Sequence, residues 1–157
     1  MTITTQKITP FIWFDTQAEQ AMNFYLSVFK NSRALKVVRN TEAAPGPTGQ
    51  VMTVSFELNG QEFSAINGGP HFKITPAISF VVHCATQDEV DYYWDKLGLG
   101  GAIQQCGWLT DKFGVSWQIV PTVMLEILSG ADSARAGRAM AAMMKMVKLD
   151  IMTLEQA

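Results

Sequence analysis

At 157 residues, with 48% hydrophobic and 17% charged side chains, the chain has the composition of a soluble globular protein with room for one or two small cores. A net charge of −2 without any basic block argues against a nucleic-acid partner. No apolar run approaches the ~20 residues a membrane helix needs, and the opening MTITTQKITPF has no apolar signal core, so a cytoplasmic protein without membrane contact is expected. Cys84 and Cys106 lie far apart and lack metal-ligand spacing, as free thiols of a reducing compartment do.

Thr9-Pro10 opens a first strand over residues 11–14, with Phe11 and Trp13 on one side and Ile12 and Phe14 on the other. Asp15 or Thr16 is placed to cap the following helix, whose Ala18, Ala21, Met22, Tyr25, Leu26 and Phe29 form one apolar stripe. A short strand follows at 34–39. Residues 41–49, TEAAPGPTG, have no periodicity and read as a long loop, either a mobile lid or slack. Strands over 51–58 and 62–66 then form a hairpin about Asn59-Gly60. Residues 67–73, NGGPHFK, break the pattern, because two glycines permit close backbone approach and Pro70 blocks strand continuation.

After that break the order of elements starts again. Thr75-Pro76 echoes Thr9-Pro10 and leads into a strand over 77–82, with Ile78 and Phe80 in the places of Ile12 and Phe14. Thr86 with Glu89 three residues on is a capping-box pattern, and Val90, Tyr93, Trp94 and Leu97 form the stripe of the helix it starts. Residues 104–121, QQCGWLTDKFGVSWQIVP, read as two strands around Asp111-Lys112-Phe113-Gly114, whose Asp and Gly suit a type I turn. Aligning Gly60 with Gly114 matches Phe63 with Trp117 and Ser64 with Gln118. Each half is therefore β-α-β-β-β, over 8–67 and 75–121, within a single α+β domain. The remaining residues, 122–157, form a helical extension. Its expected helix over 131–147 carries a stripe of Ala136, Met140, Met143, Met144 and Val147, and Asp150 caps a short last helix. That Met-rich surface is expected to pack in the core or against a second copy.

Taken together, NGGPHFK, the strand TPAISFVV, the hairpin QQCGWLTDKFGVSWQIVP and the tail KLDIMTLEQA resemble the PhnB-like branch of the vicinal oxygen chelate superfamily, which includes glyoxalases, extradiol dioxygenases and bleomycin-resistance proteins. Sequences of this branch often carry the label demethylubiquinone methyltransferase. The resemblance implies paired βαβββ modules forming cupped mixed sheets, commonly assembled as homodimers. It also implies that the superfamily's four metal-ligand positions fall on Phe11, Ser64, Ala77 and Gln118. Metallo-enzymes place His, Glu or Gln there. One amide and one hydroxyl are a poor set for a catalytic ion, which needs about three good N or O ligands. No metal and no other cofactor is therefore expected. The methyltransferase label lacks the Gly-rich turn after a first strand that a doubly wound S-adenosylmethionine enzyme needs, since the first strand ends FDTQAEQ.

Strand parity supplies the candidate site. With Trp117, Phe63, Ile78 and Ile12 packed beneath helices, Gln118, Ser64, Ala77 and Phe11 face the other way. The expected pocket is lined by Phe11, Trp13, Ser64, Ser79 and Gln118, with His71 and Phe72 near its rim. Gln118 either anchors a ligand or is satisfied by a neighbouring strand, and His71 is either a base near neutral pH or a solvated linker residue. Two functions stay open. One is a metal-free module that binds a small organic molecule. The other is an enzyme of the same superfamily acting on a small substrate through Gln118 and His71.

Overall fold

The computed structural model describes residues 6–157; residues 1–5, part of the segment expected to lack a signal core, lie outside it. The chain divides into two compact units, Met1–Ile74 and Thr75–Ala157.

The first unit runs β1 (Phe11–Phe14), α1 (Ala18–Val28), β2 (Ser32–Arg39), β3 (Val51–Leu58) and β4 (Gln61–Asn67), with the sheet order β1-β4-β3-β2. β1 runs parallel to β4 and the other neighbours are antiparallel, so the helix crosses one face of an open mixed sheet. That face buries Ile12, Phe14, Val54, Phe56, Leu58, Phe63 and Ala65 beneath Ala18, Ala21, Met22, Tyr25 and Val28 of α1. Phe56 and Phe63 stack at 5.6 Å between ring centroids, with Tyr25 6.1 Å from Phe56. The hairpin forms where Asn59-Gly60 predicts, both residues having positive φ.

Neither Asp15 nor Thr16 caps α1. The backbone N–H of Ala18 donates instead to Asn67 Oδ1 at 2.8 Å, from the far end of β4. The cap is tertiary because parallel pairing of β1 with β4 brings Asn67 beside Phe14. The Asn67 amide also donates to Val51 O at 3.1 Å. The loop over 41–49 is held at its neck: Asn40 N–H donates to Gln50 O, Gly49 N–H to Asn40 O and the Asn40 side chain to Pro47 O, at 2.8, 2.8 and 3.1 Å.

The second unit repeats the order as β5 (Ser79–Cys84), α2 (Gln87–Gly98), β6 (Ala102–Ile103), β7 (Trp108–Thr110) and β8 (Ser116–Pro121), arranged β5-β8-β7-β6. Thr86 Oγ1 accepts from Glu89 N–H as the capping box predicts, while the Glu89 carboxylate accepts from Ala85 N–H. One expectation fails here. Ile78 does not pack beneath the helix; it precedes β5 and is 72% exposed. The Thr-Pro pairs are a false guide, four residues out of step with the fold. The Thr-Gln pairs at the helix starts, Thr16-Gln17 and Thr86-Gln87, give the true match, in which Val81 corresponds to Phe11 and buried Cys84 to buried Phe14. The pairing agrees, since Phe11 faces Ser64 as Val81 faces Gln118.

The extension forms α3 (Thr122–Ser129), α4 (Ser133–Met143) and α5 (Ile151–Glu155). α3 escapes sequence reading because it starts directly from the strand end at Pro121. The expected methionine stripe is also displaced: Met140, Met144 and Val147 are exposed, whereas Ala139 is fully buried. A small side chain permits close helix approach, a preference that a hydrophobicity pattern does not register. Leu149, Leu154, Met124 and Val120 make a local core. The segment before α5 is strapped to its own unit: Cys106 and Gly107 N–H donate to Met146 and Val147 O at 2.9 and 2.8 Å. Gln87 bonds both Leu149 O and Ile151 N–H, and Lys148 pairs with Asp91 at 3.0 Å. Asp150 caps α5 through Thr153 N–H, as expected.

Asp111 organises the β7–β8 turn. It is 2% exposed, and its carboxyl oxygens accept from Phe113 N–H (2.8 Å), Val115 N–H (3.1 Å) and Trp117 Nε1–H (2.9 Å). In Asp111→Asn an amide NH2 must face one of these donors, leaving buried N–H groups unpaired. Urea unfolding should show a loss of about 2 kcal/mol or more; an unchanged midpoint would mean the turn is held by its backbone alone.

Candidate functional site

Each sheet has one face beneath α1 or α2 and an opposite face, called helix-free here, that the extension covers only at the Val120 end of β8. In the first unit Phe11 and Trp13 share the helix-free face with Ser64 and Ile66, their partners on β4. Phe11 is 59% exposed. Trp13 is fixed at its polar end, where Nε1–H donates to Gly69 O at 2.9 Å. Its ring lies so close over Gly68 that a Cβ there would collide with the indole, which explains a glycine at that position. Phe72 meets the Trp13 ring edge-on, with centroids 4.9 Å apart. The loop thus brings Phe72 onto the aromatic face. His71 is exposed and has no carboxylate bonded to it among the described residues.

In the second unit the helix-free face carries a two-row array set by strand register. Ser79, Ser116 and Thr110 lie abreast on β5, β8 and β7; two residues along lie Val81, Gln118 and Trp108. Gln118 Nε2 donates to Ser79 Oγ at 2.9 Å, joining two of the predicted residues, and Gln104 Nε2 donates to Thr110 Oγ1 at 3.0 Å. Ser116 is fully buried, and its hydroxyl has no partner among the described residues. Thr110 and Val81 are members of this face that sequence reading missed. The parity that points to Gln118 also marks Ser116, two residues before it, whereas Val81 was masked by the Thr-Pro alignment. Ala77 lies in the turn before β5 and is not a strand position.

Residues 6–120 match the family described as 3-demethylubiquinone-9 3-methyltransferase. The PhnB protein of Bacillus cereus is 43% identical, with 74% of this chain and 99% of that one covered at a TM-score of 0.68. The chain belongs to this PhnB-like family. Its fold is that of the vicinal oxygen chelate superfamily, shared with the fosfomycin resistance protein FosX of Mesorhizobium loti at 11% identity, 86% and 99% coverage and a TM-score of 0.54. FosX of Listeria monocytogenes, solved with Mn(II) and sulfate, is similar at 12% identity, 76% and 91% coverage and a TM-score of 0.51. No curated protein matches. The family match ends at residue 120, so the extension from Thr122 lies beyond it.

The residues do not fit the groups that fold and family label imply. The four positions that the resemblance assigns to metal, corrected for register, are Phe11, Ser64, Val81 and Gln118, which provide one amide and one hydroxyl. No group of three His, Cys, Asp or Glu side chains suited to a metal ion occurs among the described residues. For S-adenosylmethionine held in the doubly wound manner, a Gly-rich turn should open the helix after β1. Here that helix end is occupied by the Asn67 side chain.

At the end of β5, burial and then the Glu89 carboxylate push the Cys84 thiol up to about 12. Burial, followed by the charges of Cys84 and Glu89, also raises Tyr93. A group with a raised folded pKa contributes stability below its unfolded value and loses it as pH climbs through the folded one. For Cys84 that window runs from about 9 to about 12. In native protein iodoacetamide should modify Cys106 and spare Cys84, and Cys84→Ala should flatten the alkaline fall in stability. Equal labelling of both thiols would contradict this account.

Proposed function

We propose that this protein binds a small organic molecule on the helix-free sheet faces without a metal ion. The observation that carries the reading is the character of each face taken by itself: Phe11 beside Ser64 in the first unit and Val81 beside Gln118 in the second, each an apolar side chain next to a neutral hydrogen-bonding group. Such a mixture suits an organic ligand and suits a cation poorly. An aromatic wall of Phe11, Trp13 and Phe72 adds apolar contact area. The enzymatic alternative needs an activated base, and among the described residues no carboxylate is bonded to His71. Ser79, paired with Gln118, holds the amide in place for a ligand.

Thermal-shift titration with Mn(II), Zn(II), Ni(II) and a metabolite panel tests the reading. Stabilisation by an organic compound in the presence of chelator is expected, and Gln118→Leu should keep the fold while weakening that compound by about 1–3 kcal/mol. A metal-dependent stabilisation abolished by Gln118→Leu would refute it.

The same reading includes a homodimer in the cytoplasm. No described helix is long and apolar enough to cross a membrane. Even with part of the extension buried in its own unit, Met144 (61%) and Met152 (66%) are exposed, together with Ile103 (56%). Light scattering at micromolar concentration should give twice the 17.3 kDa chain mass; a monomer mass would remove this part of the proposal.

A further inference from the structure

The hydroxyl row of the second unit has a donor surplus that specifies what it can take. Ser79, Ser116 and Thr110 stand abreast on three adjacent strands, on the face away from α2. A serine or threonine hydroxyl has one hydrogen to give and two lone pairs to receive with. The Ser79 oxygen already receives from Gln118, and the Thr110 oxygen from Gln104. No acceptor for either hydroxyl hydrogen occurs among the described residues. Ser116, at the centre, has neither donor nor acceptor partner among the described residues although it is fully buried. A buried hydroxyl without a partner is disfavoured, and such groups in native proteins call for an explanation such as a ligand. Ser79 and Thr110, on either side of the buried Ser116, are only half-buried, so the row opens to solvent at its two ends.

From this we infer that the Ser79–Ser116–Thr110 row is a subsite for a neutral acceptor oxygen, a carbonyl or its equivalent, carried on a flat apolar body that lies against Trp108 and Val81. The inference rests on the binding reading above and narrows its ligand class. Trp108 and Val81 flank Gln118 in the adjoining row, so a ring placed there sets its substituent oxygen among the hydroxyls. The array contains no Lys or Arg, and an anion would lose its hydration without gaining a counter-charge. A carbonyl gives up much less water and accepts what the row offers.

The test is titration of isotope-labelled full chain by protein NMR with acetophenone, ethylbenzene and benzoate, three probes with the same ring. Acetophenone should bind best and shift the amides of residues 79, 110, 116 and 118. Ser116→Ala should weaken acetophenone by roughly fivefold or more, the cost of one lost hydrogen bond, and leave the melting temperature unchanged or higher, because the hydroxyl it removes is unpaired. Thr110→Val provides a second variant, expected to weaken acetophenone in the same way. Equal binding of ethylbenzene or benzoate, shifts confined to the Phe11–Trp13 face, no binding of any probe, or a lowered melting temperature in Ser116→Ala would each overturn the subsite. The broader reading is judged separately by the metabolite titration, which does not depend on this row.

Discussion

Three hydrogen bonds to one buried carboxyl group determine which side chains the second sheet presents on its two faces. Asp111 gathers the N–H groups of Phe113 and Val115 and the indole of Trp117, and its own backbone closes the turn through Gly114 and Val115. The indole bond reaches six residues along the chain, so it fixes the position of β8 against the turn as well as the turn itself. A slip of one residue would send Trp117 to the helix-free face and Gln118 beneath the helix. Both the buried aromatic core and the Gln118–Ser79 pair depend on that register.

The first unit meets the same requirement by different means. Its hairpin turn is Asn59-Gly60, with no buried carboxyl group, and its register is secured at the opposite end of the sheet. Asn67 closes α1 and reaches β3, then Gly68 and Gly69 pass beneath and beside Trp13. The Asn-Gly-Gly stretch therefore does two jobs at once. It terminates β4, and it provides the surface on which the indole lies. Repeat symmetry in the topology thus does not extend to the contacts that stabilise it.

Local chemistry was readable in the sequence where the determining atoms are close along the chain. The Thr86 cap, the Asn59-Gly60 turn, the Asp111 turn and the alternation around Trp117 and Gln118 all belong to this class. Reading failed where a distant residue decides. The α1 cap comes from Asn67, 49 residues away, while two eligible residues beside the helix go unused. Ile78 looked like a core position because a Thr-Pro dipeptide recurs, yet proline marks only a strand entrance and says nothing of how far the chain runs before pairing starts. In the extension, Ala139 outranked the methionines because packing rewards closeness as well as apolar area. The candidate site shows the same division: Gln118 and Ser79 were visible from alternation, whereas Ser116 became informative only with its burial and lack of a partner in view.

The helix-free faces also bear on how a fold can outlast a particular chemistry. The four positions that the superfamily resemblance assigns to metal ligands are filled here by Phe11, Ser64, Val81 and Gln118, while both sheets keep their strand order and pairing. That tolerance has a physical basis. The large buried aromatics Phe56, Phe63, Trp94 and Trp117 lie on the helix side, away from these four positions, which can therefore change with little effect on folding. The converse is that strand order alone carries no information about a reaction. What discriminates is the inventory of free donors and acceptors on the inward face. On the second sheet that inventory is neutral and includes the Ser116 hydroxyl, which has no partner among the described residues, and the proposed recognition of an organic oxygen rests on it.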